Sequence, residues 1–397
     1  MKLIKTLSLL VIVSLLLGVV AGCGPEQVEA PEEEPVESGE TEGSDEPLQL
    51  ALLVALSGDV KTFGDGARRG MEMAIAEWNE KGGVLGREIE MVVGDTKCDA
   101  QEASNVANKV INQDQVKYIV GAICSSASIP ISEVADPAGV IMVSPASTNP
   151  QVTINEDDSN KEHIFRVCFL DPFQGEVNAA FAINDLEAET TAVLYDVGND
   201  YVKGLAEYYK ASFEEMGGEV AVFEAYTKDD TDFSALLTTV AEADVDVLFL
   251  PDYYNKANVI SKQAKEKGIE ATLLGADGWS SPDLDLEALD GAYYSNHYSP
   301  ADPRDVVQDF IAAHVEQYDM EPMVQGVLAY DSVNAILQAI ENAGTTDTAM
   351  VKDELAALEF EGVSGEIEFD ENGDPIKKAA IEQVTADGIE FVKFVAP

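Results

Sequence analysis

The feature that most constrains this chain is the alternation of short apolar runs with segments of helical periodicity. Residues 48–56 read LQLALLVAL, which is typical of a parallel strand buried on both faces. Apolar residues then recur at helical spacing from Ala67 to Trp78, and a Gly-Gly pair at 82–83 ends that helix. Further strands are predicted at 88–93, 118–120 and 140–143, with helices at 100–112 and 126–135 between them. This β-α-β-α-β order indicates a doubly wound parallel sheet.

A second series of the same kind begins near residue 171. Its predicted strands alternate with helices such as 203–216 and 255–267 at ordinary βαβ spacing, and they cover 191–195, 219–225, 245–250 and 272–274. At 397 residues the chain is also too long for one ordinary core. The fold class predicted is therefore α/β, with two doubly wound parallel-sheet lobes.

Two consecutive strands of the first series end in small hydroxyl residues. Residues 121–128 read GAICSSAS, and residues 144–148 read SPAST. A strand that ends at a helix start leaves backbone N–H groups pointing at open space, which suits a carboxylate or another anion. Side by side, the two loops could hold one small polar ligand, although Ser125 could instead serve only as a helix N-cap.

The second series has aromatic residues near acids at three strand ends, within residues 196–201, 252–254 and 277–279. Each of these is compatible with an ordinary surface as well as with a ligand-facing position. Phe63 is predicted to lie in a Gly-rich loop after the first strand, off the apolar stripe of the following helix. Open α/β sheets bind ligands at this edge, so Phe63 is a candidate contact.

Charge and motif content restrict the function. The chain has 24 Lys+Arg against 74 Asp+Glu, a formal net charge of −50, so a nucleic-acid partner is not expected. The three histidines, His163, His297 and His314, are scattered, and no HExxH, P-loop or GxSxG motif is present. We therefore expect neither an enzyme nor a bound metal or cofactor.

The amino terminus has the form of an export signal. Two lysines precede an apolar run over 7–20 that is short for a membrane span and ends in VAGC at 20–23. This resembles a bacterial lipobox, whose Cys23 would carry a diacylglycerol; a plain signal peptide and an anchoring helix are the alternatives. Residues 1–22 are thus predicted to be a lipoprotein signal peptide and 23–47 a disordered acidic tether. The expected location is the cell membrane, lipid-anchored on its extracytoplasmic face.

Two cysteines follow neighbouring strands of the first series. Cys98 comes after the second strand and Cys124 after the third, and adjacent strand ends can bring them within bonding distance. In an exported protein a disulfide is the expected state, and closing this loop would contribute about 3 kcal/mol. Cys168, in an apolar stretch, is predicted to be an inert buried thiol.

Several segments in combination resemble one known family. They are WNEKGGVLG at 78–86, DTKCDA at 95–100, ANKV at 107–110, GAICSS at 121–126 and SPAST at 144–148. Together they are similar to the leucine/isoleucine/valine-binding proteins of ABC importers, which are type I periplasmic binding proteins. The resemblance runs from about residue 50 to the end of the chain.

The resemblance implies two lobes joined by a three-stranded hinge that permits closure about a ligand. The first ligand-binding lobe is predicted to comprise residues 48–168 plus 298–361. The second is predicted to comprise residues 169–297 plus 362–397. The ligand site then lies in the cleft between them.

The resemblance also assigns the polar ends of a free amino acid. Ser125 and Thr148 would bind its carboxylate, the Ala146 carbonyl would accept from its ammonium, and Asp277 would supply the counter-charge. Asp277 departs from the family, which usually carries the longer Glu at this position.

Aromatic residues would enclose the ligand's side chain. Phe63, Tyr201 and Tyr253 match the family's wall positions, and Trp279 is a further candidate. In a second departure, no aromatic is found near residues 324–326, where the family often has one.

The implied function is that of the extracytoplasmic solute-binding component of an ABC transporter. It would capture a branched-chain or related apolar amino acid, as a monomer, and deliver it to the membrane subunits of the permease. One alternative is the binding of urea, short amides or another small solute by the same fold. Another is a ligand-sensing protein that feeds a membrane receptor.

Overall fold

Five parallel strands form the sheet of the first lobe. The computed structural model describes residues 46–397, and in it this sheet has the order β2-β1-β3-β4-β5. All its pairings are parallel. The strands are β1 (Leu48–Val54), β2 (Ile89–Asp95), β3 (Tyr118–Gly121), β4 (Ile141–Ser144) and β5 (Ile164–Arg166).

Helices cover both faces of this sheet, which explains its almost continuous apolar strands. The helices are α1 (Lys61–Glu80), α2 (Ala100–Asn112) and α3 (Ser125–Ala135), and, from later in the chain, α8 (Asp305–Tyr318), α9 (Val324–Ala343) and α10 (Thr348–Ala356). Helix α9 packs on α1, and α2 packs on α3. The close approach of α1 and α9 depends on Gly70, because a Cβ there would collide with the carbonyl of Gly326.

The second lobe is built on a seven-stranded sheet of order β14-β13-β10-β9-β8-β6-β7. Its strands are β6 (Thr190–Asp196), β7 (Glu219–Tyr226), β8 (Val247–Phe249), β9 (Thr272–Gly275), β10 (Tyr293–Asn296), β13 (Ala379–Thr385) and β14 (Gly388–Val395). Strands β6 to β10 are parallel, whereas β13 and β14 add an antiparallel edge. The α/β fold with two parallel-sheet lobes is therefore confirmed.

Four helices flank the second sheet in two pairs that pack on each other. They are α4 (Asp171–Asn184), α5 (Asp200–Glu215), α6 (Ser234–Ala243) and α7 (Tyr254–Glu266). Late in the chain, β11 (Glu359–Gly362) and β12 (Gly365–Glu368) form a separate two-stranded antiparallel ribbon. The chain passes between the sheets after β5, after β10 and near this ribbon, and the lobe boundaries proposed from the sequence stay a prediction.

Local sequence signals set several helix starts. The Asp99 carboxylate accepts hydrogen bonds from the backbone N–H groups of Gln101 and Glu102, so it caps α2. Asn199 caps α5 in the same way. The N-cap interpretation of Ser125 is wrong, because α3 begins at Ser125 itself and Cys124 holds the cap position. The Ser125 hydroxyl is thereby left for another role.

The predicted signal peptide, the lipidation of Cys23 and nearly all of the predicted tether lie outside the described residues. Within residues 46–397, none of the helices combines the length and the apolar character that crossing a bilayer requires.

Candidate functional site

The carboxyl ends of the two sheets meet at a small cavity between the lobes. Its lining includes every predicted ligand-binding residue except Thr148: it consists of Phe63, Ile123, Ser125, Ala146, Tyr201, Tyr253, Asp277, Gly278 and Gln325. The cavity measures about 10 Å³, which is room for about one water molecule. An amino acid does not fit while the lining residues have these positions, so the wall must shift to admit one.

Hydrogen bonds across the cleft hold the lobes in this closed arrangement. The backbone N–H of Asp200 donates to the Ser126 hydroxyl at 3.0 Å, and the Asn149 amide donates to the Asp200 carbonyl at 2.9 Å. The Tyr254 hydroxyl donates to the carbonyl of Asp59 at 3.1 Å. Each of these bonds joins one lobe to the other.

Ser125 and Thr148 lie on the first-lobe side of the cavity, in the two hydroxyl loops. Ser125 is 1% exposed, and its Oγ accepts a 3.3 Å hydrogen bond from the backbone N–H of Asn149, the residue after Thr148. The Thr148 hydroxyl is fully buried and has no partner at full hydrogen-bond distance within the described part of the chain, and the Asp171 carboxyl is its polar neighbour. The Ser125 hydroxyl, the nearby Thr148 hydroxyl and the N-terminus of α3 therefore lie together. This combination of groups is suited to binding a carboxylate.

The other hydroxyls of these loops are structural. Ser144 and Ser147 both donate to the carbonyl of Ala122, at 2.9 and 3.1 Å. Ser128 accepts from the Ala122 N–H at 2.9 Å and lies 2.7 Å from the Ser147 hydroxyl. These serines bind the two loops to each other, so the loops form one rigid wall.

The predicted Cys98–Cys124 disulfide is confirmed. The two Cα atoms are 5.6 Å apart, and the bond joins the loop after β2 to the residue before α3. It fixes the start of α3, and with it Ser125. Cys168 is a free buried thiol, as predicted, and burial raises its pKa to about 12.

Phe63 lies at the cavity but not in a loop. The Gly-rich loop prediction is wrong, because α1 already begins at Lys61 and places Phe63 in its first turn. Two glycines weakened the helical signal, yet both are needed where this turn is crowded: a Cβ on Gly64 would collide with the Ala55 carbonyl, and one on Gly66 would lie 3.0 Å from the Met323 sulfur. Phe63 is 3% exposed, and it belongs to the cleft wall because its side chain lines the cavity.

Three aromatic rings pack against one another along the cleft. Tyr201 and Tyr253 are stacked with ring centroids 5.4 Å apart, and Phe63 meets Tyr253 edge-on at 5.8 Å. Burial raises the pKa of both tyrosines, so their hydroxyls stay neutral hydrogen-bonding groups. Trp279, by contrast, is not a wall: it is fully buried in the core, and its indole N–H donates to the Leu250 carbonyl.

Asp277 faces the hydroxyl wall from the second lobe. Its Oδ1 accepts hydrogen bonds from the Tyr201 hydroxyl at 2.8 Å and from the Gln174 amide at 2.9 Å. Its Oδ2 lies 3.4 Å from Nε2 of His297, whose pKa is lowered by burial, which keeps the ring neutral. Asp277 is 8% exposed. Its Oδ1 accepts two hydrogen bonds, whereas its Oδ2 has only the longer approach to His297.

A layer of buried polar side chains, not predicted from the sequence, lies behind Asp277. Asp171, Gln174 and Asn178 lie on one face of α4 and are fully buried, and each keeps at least one side-chain oxygen without a partner in the described structure. Burial raises the pKa of Asp171 to about 8. Their spacing of three and four residues is a helical stripe made of polar residues, a signal that could have identified them.

Gln325 was also missed as a site residue. It is 4% exposed, lines the cavity and stands where the sequence shows no aromatic. Its Oε1 is buried and has no partner among residues 46–397. No group of three or more His, Cys, Asp or Glu in that range has the arrangement of a metal site.

Comparison with known proteins identifies one family. Its sequence profile, described as periplasmic binding protein, matches residues 47–389. A leucine-, isoleucine-, valine-, threonine-, and alanine-binding protein of Pseudomonas aeruginosa is 34% identical over 332 residues, which are 82% of this chain and 87% of that protein.

Solved structures give the same result. A leucine binding protein, LivK, from Thermotoga maritima superposes with a TM-score of 0.83 and 34% identity, over 88% of this chain and 99% of that one. The branched-chain amino acid transporter substrate binding protein LivJ from Streptococcus pneumoniae, in complex with isoleucine, gives 0.82 and 29%, over 89% and 100%.

Proposed function

Since this chain belongs to the periplasmic binding protein family, we propose that it is the solute-binding component of an ABC importer. It captures a branched-chain or related apolar amino acid outside the cytoplasm and delivers it to the permease. Its relatives are binding proteins, and we extend this to the chain itself: it binds its ligand and releases it unchanged, without a cofactor.

One observation carries the proposal: an acid on one lobe faces a hydroxyl-lined helix start on the other. Asp277 can bind the ammonium of a free amino acid, and the Ala146 carbonyl can accept from the same group. Ser125 and Thr148 can bind the carboxylate together with the N–H groups at the start of α3. A zwitterion satisfies both sides at once, whereas urea and simple amides bring no charge for Asp277.

The aromatic wall supports an apolar side chain. Phe63, Tyr201 and Tyr253 are nearly or largely buried and enclose the remaining surface of the cavity. Enclosing the ligand excludes water, which strengthens its charged hydrogen bonds. Because both lobes contribute ligands, the amino acid binds the closed form more tightly and drives closure.

The remaining parts of the proposal concern assembly. Cys23 is the lipidation site that anchors the protein to the extracytoplasmic face of the membrane, and the acidic tether gives it reach. The first lobe, residues 48–168 plus 298–361, moves as one body. The second lobe, residues 169–297 plus 362–397, moves against it. The closed monomer docks on the two membrane subunits of the permease.

Titration calorimetry of the full chain against the twenty amino acids, urea and acetamide tests the proposal. We expect saturable binding of one or more of leucine, isoleucine, valine and closely related amino acids. Binding of urea or acetamide alone would support the alternative solute class. If none of the twenty amino acids gives a binding signal, the proposal is wrong.

Delivery needs a separate measurement. Cells that lack the gene should lose high-affinity uptake of the radiolabelled ligand and regain it with the wild-type gene. Normal uptake together with a lost transcriptional or behavioural response would identify a sensor instead.

A further inference from the structure

Gln325 and Phe63 both line the cavity from the first lobe. Each belongs to the first turn of its helix, Gln325 in α9 and Phe63 in α1. The two helix starts approach closely, because a Cβ on Gly326 would lie 2.8 Å from the carbonyl of Gly66. Gln325 therefore adds an amide to the wall that contains Phe63.

The amide is only half satisfied. Nε2 of Gln325 donates to the carbonyl of Ser280 on the opposite lobe at 3.4 Å. That bond directs Oε1 the other way, where it is buried and has no partner within residues 46–397. A buried acceptor without a donor is unfavourable, so this oxygen is suited to a donor that arrives with the ligand.

The other lining residues narrow down which part of the ligand carries that donor. Ser125, Ala146 and Asp277 take the carboxylate and the ammonium under the proposed function. Phe63, Ile123, Tyr201, Tyr253 and Gly278 are then left, with Gln325, for the side chain. The Tyr201 hydroxyl already donates to Asp277, whereas Oε1 of Gln325 is a lining side-chain acceptor with no partner among residues 46–397.

We propose that Gln325 determines specificity by accepting a hydrogen bond from a hydroxyl on a β-branched ligand side chain. Threonine and valine have nearly the same shape, and threonine replaces one methyl with a hydroxyl. Threonine then joins the apolar branched-chain amino acids as a ligand, and the cleft should bind it more tightly than valine. This inference rests on the proposed function, since it presupposes an amino acid in the cleft.

The test compares these two amino acids by titration calorimetry on the full chain. For the wild-type protein we expect threonine to bind at least about tenfold more tightly than valine, because a site built for a hydroxyl rejects the analogue that lacks it. In Gln325→Met, which keeps the length of the side chain without the acceptor, the ratio should fall to one or invert. Gln338→Met, an exposed position on the same helix, is the matched control and should keep the wild-type ratio.

Two results would overturn the inference. One is a wild-type protein that binds valine as tightly as threonine, a measurement that needs no variant to fold. The other is a threonine preference that survives in Gln325→Met. Failure of the proposed function has a different signature, because then no amino acid binds to the wild-type protein at all.

Discussion

Arg166 and Asp374 form a buried ion pair, with Nε and Oδ1 2.5 Å apart, between the last strand of the first sheet and the turn that leads into β13. Arg166 is fully buried and Asp374 is 2% exposed. The same guanidinium donates to the carbonyls of Ser147 and Asn149, on either side of Thr148. One arginine therefore connects the hinge region to the loop that carries a proposed carboxylate ligand.

Removing one partner of this pair should destabilise the protein strongly. We expect Arg166→Met or Asp374→Leu to lower the free energy of unfolding by about 3–5 kcal/mol, because each leaves an uncompensated buried charge. The double variant should lose less than the sum of the two, and a denaturant-based double-mutant cycle measures this coupling. Strictly additive losses would show that the two charges do not interact.

The counter-charge role of Asp277 predicts a large effect on affinity. Asp277→Ala should weaken amino-acid binding by about 2–5 kcal/mol, because the ligand's ammonium would be buried without its partner. Calorimetry gives the dissociation constant of the variant. Glu287→Gln, an exposed acid further along the same segment, serves as control and should bind like wild type. An unchanged dissociation constant in Asp277→Ala would remove this residue from the site.

The disulfide should account for a measurable part of the stability. Cys98 and Cys124 are 26 residues apart, and a loop of this size predicts a loss of about 3 kcal/mol on reduction. Urea denaturation with and without reductant measures it. A double variant with serine at both positions should have the same free energy of unfolding as the reduced wild type. Adding reductant should not change that value. A reductant effect that persists in this variant would show that the loss of stability does not come from the Cys98–Cys124 bond.

Asp171 predicts a loss of stability with rising pH. Its pKa is raised by burial from 3.8 to about 8, so between these values the folded protein retains a proton that the unfolded chain releases. The free energy of unfolding should therefore fall as the pH rises from about 4 to about 8, by up to about 6 kcal/mol from this group. Asp171→Asn, neutral at every pH, should lack this decline.

The comparison that isolates Asp171 is the difference between the wild type and the variant at each pH. Thermal denaturation from pH 4 to pH 9 should show Asp171→Asn increasingly more stable than the wild type. Glu176→Gln, an exposed acid on the same helix, should follow the wild-type curve. Parallel curves for the wild type and Asp171→Asn would contradict a protonated Asp171.

Most of the fold could be predicted because its signals are local. The bounds of α2 agree with the predicted helix residue for residue, since the Asp99 cap and the apolar periodicity define it. The start of α1 could not be predicted in this way. Gly64 and Gly66 suggest a loop by propensity, and their presence in a helix is explained by contacts with residues distant in sequence.

The candidate site was predictable where a residue stands at a strand end or a helix start. Ser125, Tyr253 and Asp277 are of this kind, and the structure brings them to one cavity, while their roles toward a ligand stay predictions. Gln325 was not predictable, because its position at the cavity depends on how the two lobes meet. Trp279 shows the opposite error. Its position near Asp277 suggests a cleft wall, but its ring points into the core and packs against Gly275.

The bonds that cross the cleft limit how fast a captured molecule can leave. The Asp200–Ser126 and Asn149–Asp200 contacts must break before the lobes can part and free a bound amino acid. Its residence time is then governed by the frequency at which the lobes part, and tight binding is consistent with fast capture on an open first lobe. A permease that pulls these contacts apart would accelerate release without touching any group that recognises the ligand.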